Sequence, residues 1–431
     1  MFSIVMIIYN ILFPILFILY FPFYRRKLEK RGNYKDGFDE RFGKFTEEKK
    51  RQLAALNNPL WIHAVSVGET VAALSFINAL KEHYPDLDIV LSTTTSTGQQ
   101  IARKKVPEGV LVIYSPLDMA HCVNRSLSII KPSMYIIFEV EIWPNIIRQC
   151  HRRKIPVQLV NCRVSDKSYA GFKKHKWFFS RIFAMFNSIA AQSKTDADRI
   201  TDILPLNHPA PVICGTMKYD QVSDSSGTFT EINDVFDDNS LIFTAASIHP
   251  GEPEIMINAY QHLNKKFPEL KMVLVPRHVE KIDYFCDVLD GAKLNYIRLS
   301  KLREGEKSQQ ADMLLVDTTG ELMSILAKSD IVYVGKSLGG NQGGHNIIEP
   351  AIFGKTILFG KNMQNFRLVV DDFIEAGAAI EVEQDDRFKD ELEKLIADKE
   401  KRANLADAAR KLVDSKRGSI KKTIDLLKIG S

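Results

Sequence analysis

The sequence has 431 residues, 45% hydrophobic and 26% charged, which suits two or three globular domains and excludes a disordered or low-complexity chain. Fifty-eight basic against 53 acidic residues leave a formal charge of +5, too mild an excess to call for nucleic acid. Five cysteines, an odd number without a CxxC pair, give neither a disulfide framework nor a zinc site and read as thiols of a reducing compartment.

Residues 1–24 carry no charge. As a helix they would extend about 36 Å against a hydrocarbon core of about 30 Å, so a single-pass membrane anchor is expected. Arg25, Arg26, Lys27, Lys30 and Arg31 follow at once, with Lys35 close behind. A cleaved signal peptide has the reverse order, and the positive-inside rule puts the rest of the chain on the cytoplasmic side. Asn10 and Pro14 depart from an ideal span; the alternative is a hydrophobic helix lying in the interface or packed in a core.

Past Lys50 short apolar runs alternate with amphipathic stretches, the pattern of βαβ units. Strands are expected at Trp61–Val65, Ile89–Ser92, Val110–Tyr114, Met134–Phe138, Val157–Asn161, Ser188–Gln192 and Val212–Cys214, and a long helix at Lys173–Phe186. The polar stretch Gln221–Asn239 reads as a linker. The alternation resumes with strands at Leu241–Ala245, Lys271–Val275, Leu314–Val316, Ile331–Val334 and Thr356–Phe359, then helices to the C-terminus. The expected organisation is an anchor over 1–24, doubly wound α/β domains over 25–223 and 240–431, and a linker over 224–239. Ligands of such sheets bind beyond the carboxyl ends of the strands, so both domains are expected to face a cleft with those loops. Neither G-x-G-x-x-G nor Walker A occurs, which argues against an ordinary dinucleotide or ATP site.

The strand-end loops hold the chemistry-bearing residues. Ser66-Val67-Gly68-Glu69 puts Glu69 in a first helical turn, either as an acid favouring the helix dipole or as a carboxylate able to take a proton from a substrate hydroxyl. Glu139 and Glu141 follow a buried strand at i and i+2, where mutual repulsion raises a carboxyl pKa unless cations are near. They are either helix-entry charges before Pro144 or a functional pair. Arg163 and Lys218 lie after strands on the same expected rim. In the second half, Pro250 suits a first helical turn with free N–H groups, and Pro276-Arg277-His278 puts a permanent cation at a strand end. Gly339-Gly340-Asn341-Gln342-Gly343-Gly344 precedes Asn346, which can cap the next helix. Glu349 either completes a capping box or takes the hydroxyls of a nucleotide ribose.

In this order the motifs Arg41-Phe42-Gly43, Ser66-Val67-Gly68-Glu69, Glu139-Val140-Glu141-Ile142-Trp143-Pro144, Val275-Pro276-Arg277-His278 and Gly343-Gly344-His345-Asn346 with Glu349 resemble the bacterial transferases that add 3-deoxy-D-manno-octulosonic acid (Kdo) to the lipid A precursor. The resemblance implies the two-domain GT-B glycosyltransferase fold, an anchor in the inner membrane, CMP-Kdo as donor, a membrane-borne lipid A precursor as acceptor, inversion at the anomeric carbon, and no metal or other cofactor. Carried over by residue, Glu69 is the general base, and Glu139 and Lys218 stabilise the transition state. CMP is held by Pro276 and Arg277, then Thr319, Gly320 and Glu321, then Asn346, Ile347, Ile348 and Glu349. The chain has Gly335-Lys336 where the pattern has paired glycines, and the loop through Asn341 is one residue longer. The competing readings are a GT-B transferase using a UDP-sugar and a membrane-tethered nucleotide-binding protein without catalysis.

Overall fold

The computed structural model describes residues 2–30, 37–221, 229–306 and 311–429. Arg31, Lys35 and most of the first half of the expected linker lie outside them. The chain divides into two compact units, Met1–Gln221 with Arg417–Ser431, and Val222–Lys416.

The sheet of the first unit is built from β1 (Leu60–Ala64), β2 (Ile89–Thr93), β3 (Val110–Tyr114), β4 (Met134–Phe138), β5 (Val157–Cys162), β6 (Ser188–Ala191) and β7 (Val212–Ile213). All pairs are parallel, in the order β3-β2-β1-β4-β5-β6-β7. Period-two alternation splits each strand between two cores. Trp61, Val90, Tyr135 and Leu159 enter one, while Leu60, Ile62, Leu91, Ile136 and Val160 enter the other. Burial on both faces explains why the strands read as continuous apolar runs. Arg41 is buried with its guanidinium 4.1 Å from the Tyr114 ring, and it donates to the Thr94 carbonyl, so this motif residue supports the fold.

The second unit holds β8 (Leu241–Ile248), β9 (Leu270–Pro276), β10 (Tyr296–Arg298), β11 (Met313–Leu315), β12 (Ile331–Val334), β13 (Thr356–Gly360) and β14 (Ile380–Val382). They form a second parallel sheet, β10-β11-β9-β8-β12-β13-β14. The two α/β sheets agree with the expected GT-B architecture.

Three boundaries differ from expectation. The described end of the linker is part of the second unit: Phe229, Ile232 and Phe236 are buried against Val273, Val275, Leu314 and Ile325, because three apolar residues at helical spacing cover an otherwise bare sheet face. The end of the expected 240–431 domain belongs to the first unit. Helix Ser419–Leu427 packs Ile420, Ile424 and Leu427 into the core of Leu60 and Phe76, and the Asp220 carboxylate accepts from Gly418 N, Ile420 N and Ser419 Oγ at 2.7 Å each. The long helix expected over Lys173–Phe186 is two, Asp166–Lys174 and Lys176–Phe183, broken at His175.

Candidate functional site

In each unit the chain leaves one strand and crosses to a neighbour on its other side, at β1/β4 in the first and β8/β12 in the second. Such switch points leave a crevice beyond the strand ends. Glu69 follows β1 and Glu139 follows β4, so the two predicted catalytic carboxylates come together because their strands are adjacent. Glu139 takes a left-handed backbone, φ 56°, and its N–H donates to the Val160 carbonyl. A non-glycine residue held there stores backbone strain at the point where a side chain is aimed.

Burial and then the negative charge of Glu69 push Glu139 up to about 7, against the pull of Arg163 and Lys218. Glu141 is likewise raised to about 7, by burial and then by Glu69 and Glu139, with a hydrogen bond to Trp143 opposing. Lys218 is lowered by burial and by Arg163, while Glu139 opposes. It sits in a short turn, Met217–Tyr219, anchored from β5: Asn161, itself at φ 52°, accepts the Met217 N–H on its side-chain oxygen at 3.2 Å. Three carboxylates and two cations therefore share one partly dehydrated site, where small shifts of charge carry large energies.

Glu69 fills the helix-capping role expected of it. Ser66 Oγ accepts the Glu69 N–H at 3.3 Å, and the Glu69 carboxylate accepts Val65 N at 2.7 Å and Ser66 N at 3.3 Å, a complete capping box. These bonds orient the carboxylate and leave further lone pairs for a proton.

The second unit gathers cations. Arg277 follows β9, Ser247 is the penultimate residue of β8, and His249 and Pro250 follow that strand. The His249 and His345 rings lie 5.2 Å apart with their Nε2 atoms at 3.0 Å, and His278 meets His249 edge-on at 5.4 Å. Burial, then the charge of His278, Lys336 and Arg277, lowers His249 to about 4. His345 falls to about 3 through burial and then Arg277. Burial is the larger cause for both, and the neighbouring cations add to it, as they would favour an anion.

Glu252 holds this site in shape. Fully buried, it accepts from His249 N and Lys336 N on one oxygen and from Ser337 N, Leu338 N and Tyr333 Oη on the other, over 2.6–3.3 Å. The loop after β8 is thereby clasped to the loop after β12. The two backbones are so close that a Cβ on Gly335 would lie 2.6 Å from the Ser247 carbonyl oxygen, so only glycine fits. Lys336, at the departure from paired glycines, pays with φ 65°.

Pro276, Arg277, Thr319, Gly320 and Glu321 line one cavity of about 110 Å³ with Ser247 and Thr318. Two polar atoms there, Thr318 Oγ1 and Glu321 Oε2, are buried without a partner among the described residues, although the other Glu321 oxygen pairs with Arg303 at 2.9 Å. Unsatisfied buried polar atoms lining a cavity are suited to ligand hydroxyl or amino groups. The third predicted group is not among that lining. Ile347 and Ile348 are buried, leaving only their backbone to offer. Asn346 caps locally, accepting Ile348 N at 3.1 Å and donating to Glu349 at 3.3 Å. Glu349 is raised by burial, with Asn346 and Arg277 opposing, which sets it beside Arg277. Sequence reasoning missed Glu252, Thr318 and the His249–His345 pair. Glu252 had the signal of an ordinary first-turn acid, and four of its five donors lie more than eighty residues away in sequence. Among the described residues no group of three or more His, Cys, Asp or Glu is arranged to hold a metal ion.

The family model "3-Deoxy-D-manno-octulosonic-acid transferase (kdotransferase)" matches residues 36–221, and "Glycosyl transferases group 1" matches residues 229–412. A 3-deoxy-D-manno-octulosonic acid transferase of Haemophilus influenzae is 32% identical over 86% of each chain. One of Rickettsia felis is 28% identical over 78% of this chain and 71% of its own. Among solved structures, a UDP-GlcNAc 2-epimerase of Neisseria meningitidis superposes with a TM-score of 0.56 over 86% of this chain and 99% of its own, at 13% identity, a likeness of fold.

Proposed function

The chain belongs to the 3-deoxy-D-manno-octulosonic acid transferase family and is a glycosyltransferase; from that membership we propose that it moves Kdo from CMP-Kdo to a lipid A precursor (lipid IVA), inverting the anomeric configuration. An acceptor sugar hydroxyl attacks the anomeric carbon of Kdo, the bond from that carbon to the phosphate oxygen breaks, and CMP departs with the bonding pair. Glu69 takes the hydroxyl proton, and Glu139 with Lys218 balances charge as it develops. Arg277, with Lys336 nearby, receives the phosphate, so positive charge at the leaving group comes from the protein and the proposal needs no metal. Pro276, Thr319, Gly320 and Glu321 close around the nucleoside, and Asn346 to Glu349 complete the donor site, Glu349 taking ribose hydroxyls.

The observation that carries this reading is the division of charge between the two switch points. Glu139 and Glu141, both raised by burial and neighbouring charge, follow β4 beside Glu69 at the end of β1, while Arg277 and a cavity with two polar atoms unpartnered among the described residues stand at the ends of β8, β9 and β11. The first suits proton transfer and the second an anionic leaving group. We further propose that both units work on the cytoplasmic face of the inner membrane, where five free cysteines would stay reduced and the N-terminal apolar helix would attach them to the lipid acceptor's bilayer.

Purified protein incubated with CMP-Kdo and a tetraacylated lipid A precursor should yield a lipid heavier by one or more Kdo residues in the mass spectrum, with no loss of rate in chelator. Product formed from UDP-sugars but not from CMP-Kdo would overturn the donor, and CMP release without a lipid product would overturn the acceptor.

A further inference from the structure

Helix Phe2–Lys30 is apolar all round over Phe2–Phe23, and composition alone gives it no inner face. The structure gives it one. Phe2 lies 5.5 Å from Phe178, Met6 is 1% exposed, Phe17 lies 6.2 Å from Phe42, and Phe21 lies 5.8 Å from Phe38. Between them come the polar Tyr9 and Asn10. Tyr9 Oη donates to Asp118 Oδ2 at 2.9 Å, and the Asn10 and Asn145 amides exchange hydrogen bonds of 3.2 and 3.0 Å. Residues 2, 6, 9, 10, 17 and 21 follow the spacing of a single helical face. Facing outward, Ile4, Ile8, Ile11, Ile15 and Leu19 are 47–67% exposed.

The contacts from Phe2 to Phe21 span about 28 Å of helix, nearly the whole hydrocarbon thickness of about 30 Å. A helix docked in this way cannot also cross a bilayer, because crossing would carry Asp118 and Asn145 to mid-membrane. A carboxylate at that depth is unfavourable even when it is hydrogen-bonded. It would also carry the exposed Lys173, Lys174 and Lys176, which flank Phe178, toward the far headgroups. Asp202 pairs with two of those three lysines and leaves the corner positive. With Trp177 beside Phe178, that corner has the composition of a membrane-interface rim. By sequence, the other end of the apolar run is followed by Arg25, Arg26 and Lys27. Basic residues at both ends of an apolar face suit a surface that is apolar in the middle and anionic at its borders.

We propose that Phe2–Phe23 is an in-plane anchor: pinned along the first unit by Tyr9–Asp118 and Asn10–Asn145, it lays its outer apolar face on an anionic lipid bilayer and does not cross it. The same Asp118 carboxylate accepts Asn145 N and Ile146 N at 2.9 Å each, capping the helix that follows the Glu139–Glu141 loop. The anchor is thus tied, through Asp118, to the start of that helix. This inference does not depend on which sugar is transferred.

The test uses the full chain carrying an N-terminal epitope tag behind a protease site, reconstituted into phosphatidylethanolamine/phosphatidylglycerol vesicles. External protease should remove the tag, without detergent, from every molecule whose folded units face outward. A tag protected on those molecules until detergent is added would overturn the proposal, since only a crossing helix places it in the lumen. In the same vesicles a Phe2→Cys/Phe178→Cys pair should be joined by a short bismaleimide. Absence of the cross-link in protein that still transfers Kdo would also overturn it.

Discussion

Replacing Glu139 by glutamine should stabilise the first unit, and by an amount that depends on pH. The native carboxyl keeps its proton up to about 7, against 4.5 for an ordinary glutamate, because burial and the charge of Glu69 disfavour ionisation. Between those values the folded chain binds more protons than the unfolded one, so stability is fully present below 4.5 and is lost as pH rises through about 7. That interval, at roughly 1.4 kcal/mol per pH unit, comes to about 3 kcal/mol. Glutamine is neutral throughout. The variant should match the wild type near pH 4 and exceed it by about 3 kcal/mol at pH 8.5, moving a urea midpoint by roughly 1–2 M. The assay is convenient because the three tryptophans, Trp61, Trp143 and Trp177, all lie in the first unit, so their fluorescence follows its unfolding. Some pH dependence should persist through Glu141, reduced because Glu139 is one of the charges that raise it. A midpoint shift that is the same at every pH, or a variant less stable at pH 8.5, would refute the account of this site as a strained, partly protonated cluster. Transfer should fall in the same variant, which separates a functional cost from simple damage.

Glu69→Gln keeps one side-chain oxygen for a backbone N–H but loses the second acceptor, so thermal stability should fall modestly while transfer falls about a hundred- to ten-thousandfold; a loss below about tenfold would remove Glu69 as the base. Arg277→Ala should weaken CMP binding about ten- to a hundredfold by calorimetry. It should also let His249 and His345 titrate higher in NMR, because Arg277 is one of the charges holding both down. Gly335→Ala should abolish CMP binding or prevent the second unit from folding, since its Cβ would meet backbone of the opposing loop at 2.6 Å; ordinary CMP affinity would show that the loops can part.

What could be seen in advance followed from period and punctuation. Short apolar runs alternating with amphipathic stretches, such as Leu60–Ala64 and Met134–Phe138, gave the sheets and, beyond their ends, Glu69 and Glu139. Edge strands Tyr296–Arg298 and Ile380–Val382 escaped because three residues with one inward face carry little pattern. Helix Ser419–Leu427 shows an apolar stripe, but a stripe does not say which sheet it will cover. The apolar N-terminal run was legible as a helix, but a run apolar on every side does not say which face is docked. Tyr9 and Asn10 mark that face, but their partners lie more than a hundred residues away. Long-range polar partnerships of this kind, like four of the five donors around Glu252, leave no local trace.

Because residues 417–429 complete the core of the first unit, that unit is assembled from two segments far apart in sequence, with the second unit inserted between them. On the ribosome, the sheet of β1–β7 emerges early but waits, without helix Ser419–Leu427 and without the three donors that satisfy Asp220, until the second unit has been made. The second unit, contiguous in sequence, is free to finish first. The half bearing the proposed base would therefore be the last to mature, and a nascent chain could reach the membrane through its apolar N-terminus well before it was able to transfer a sugar.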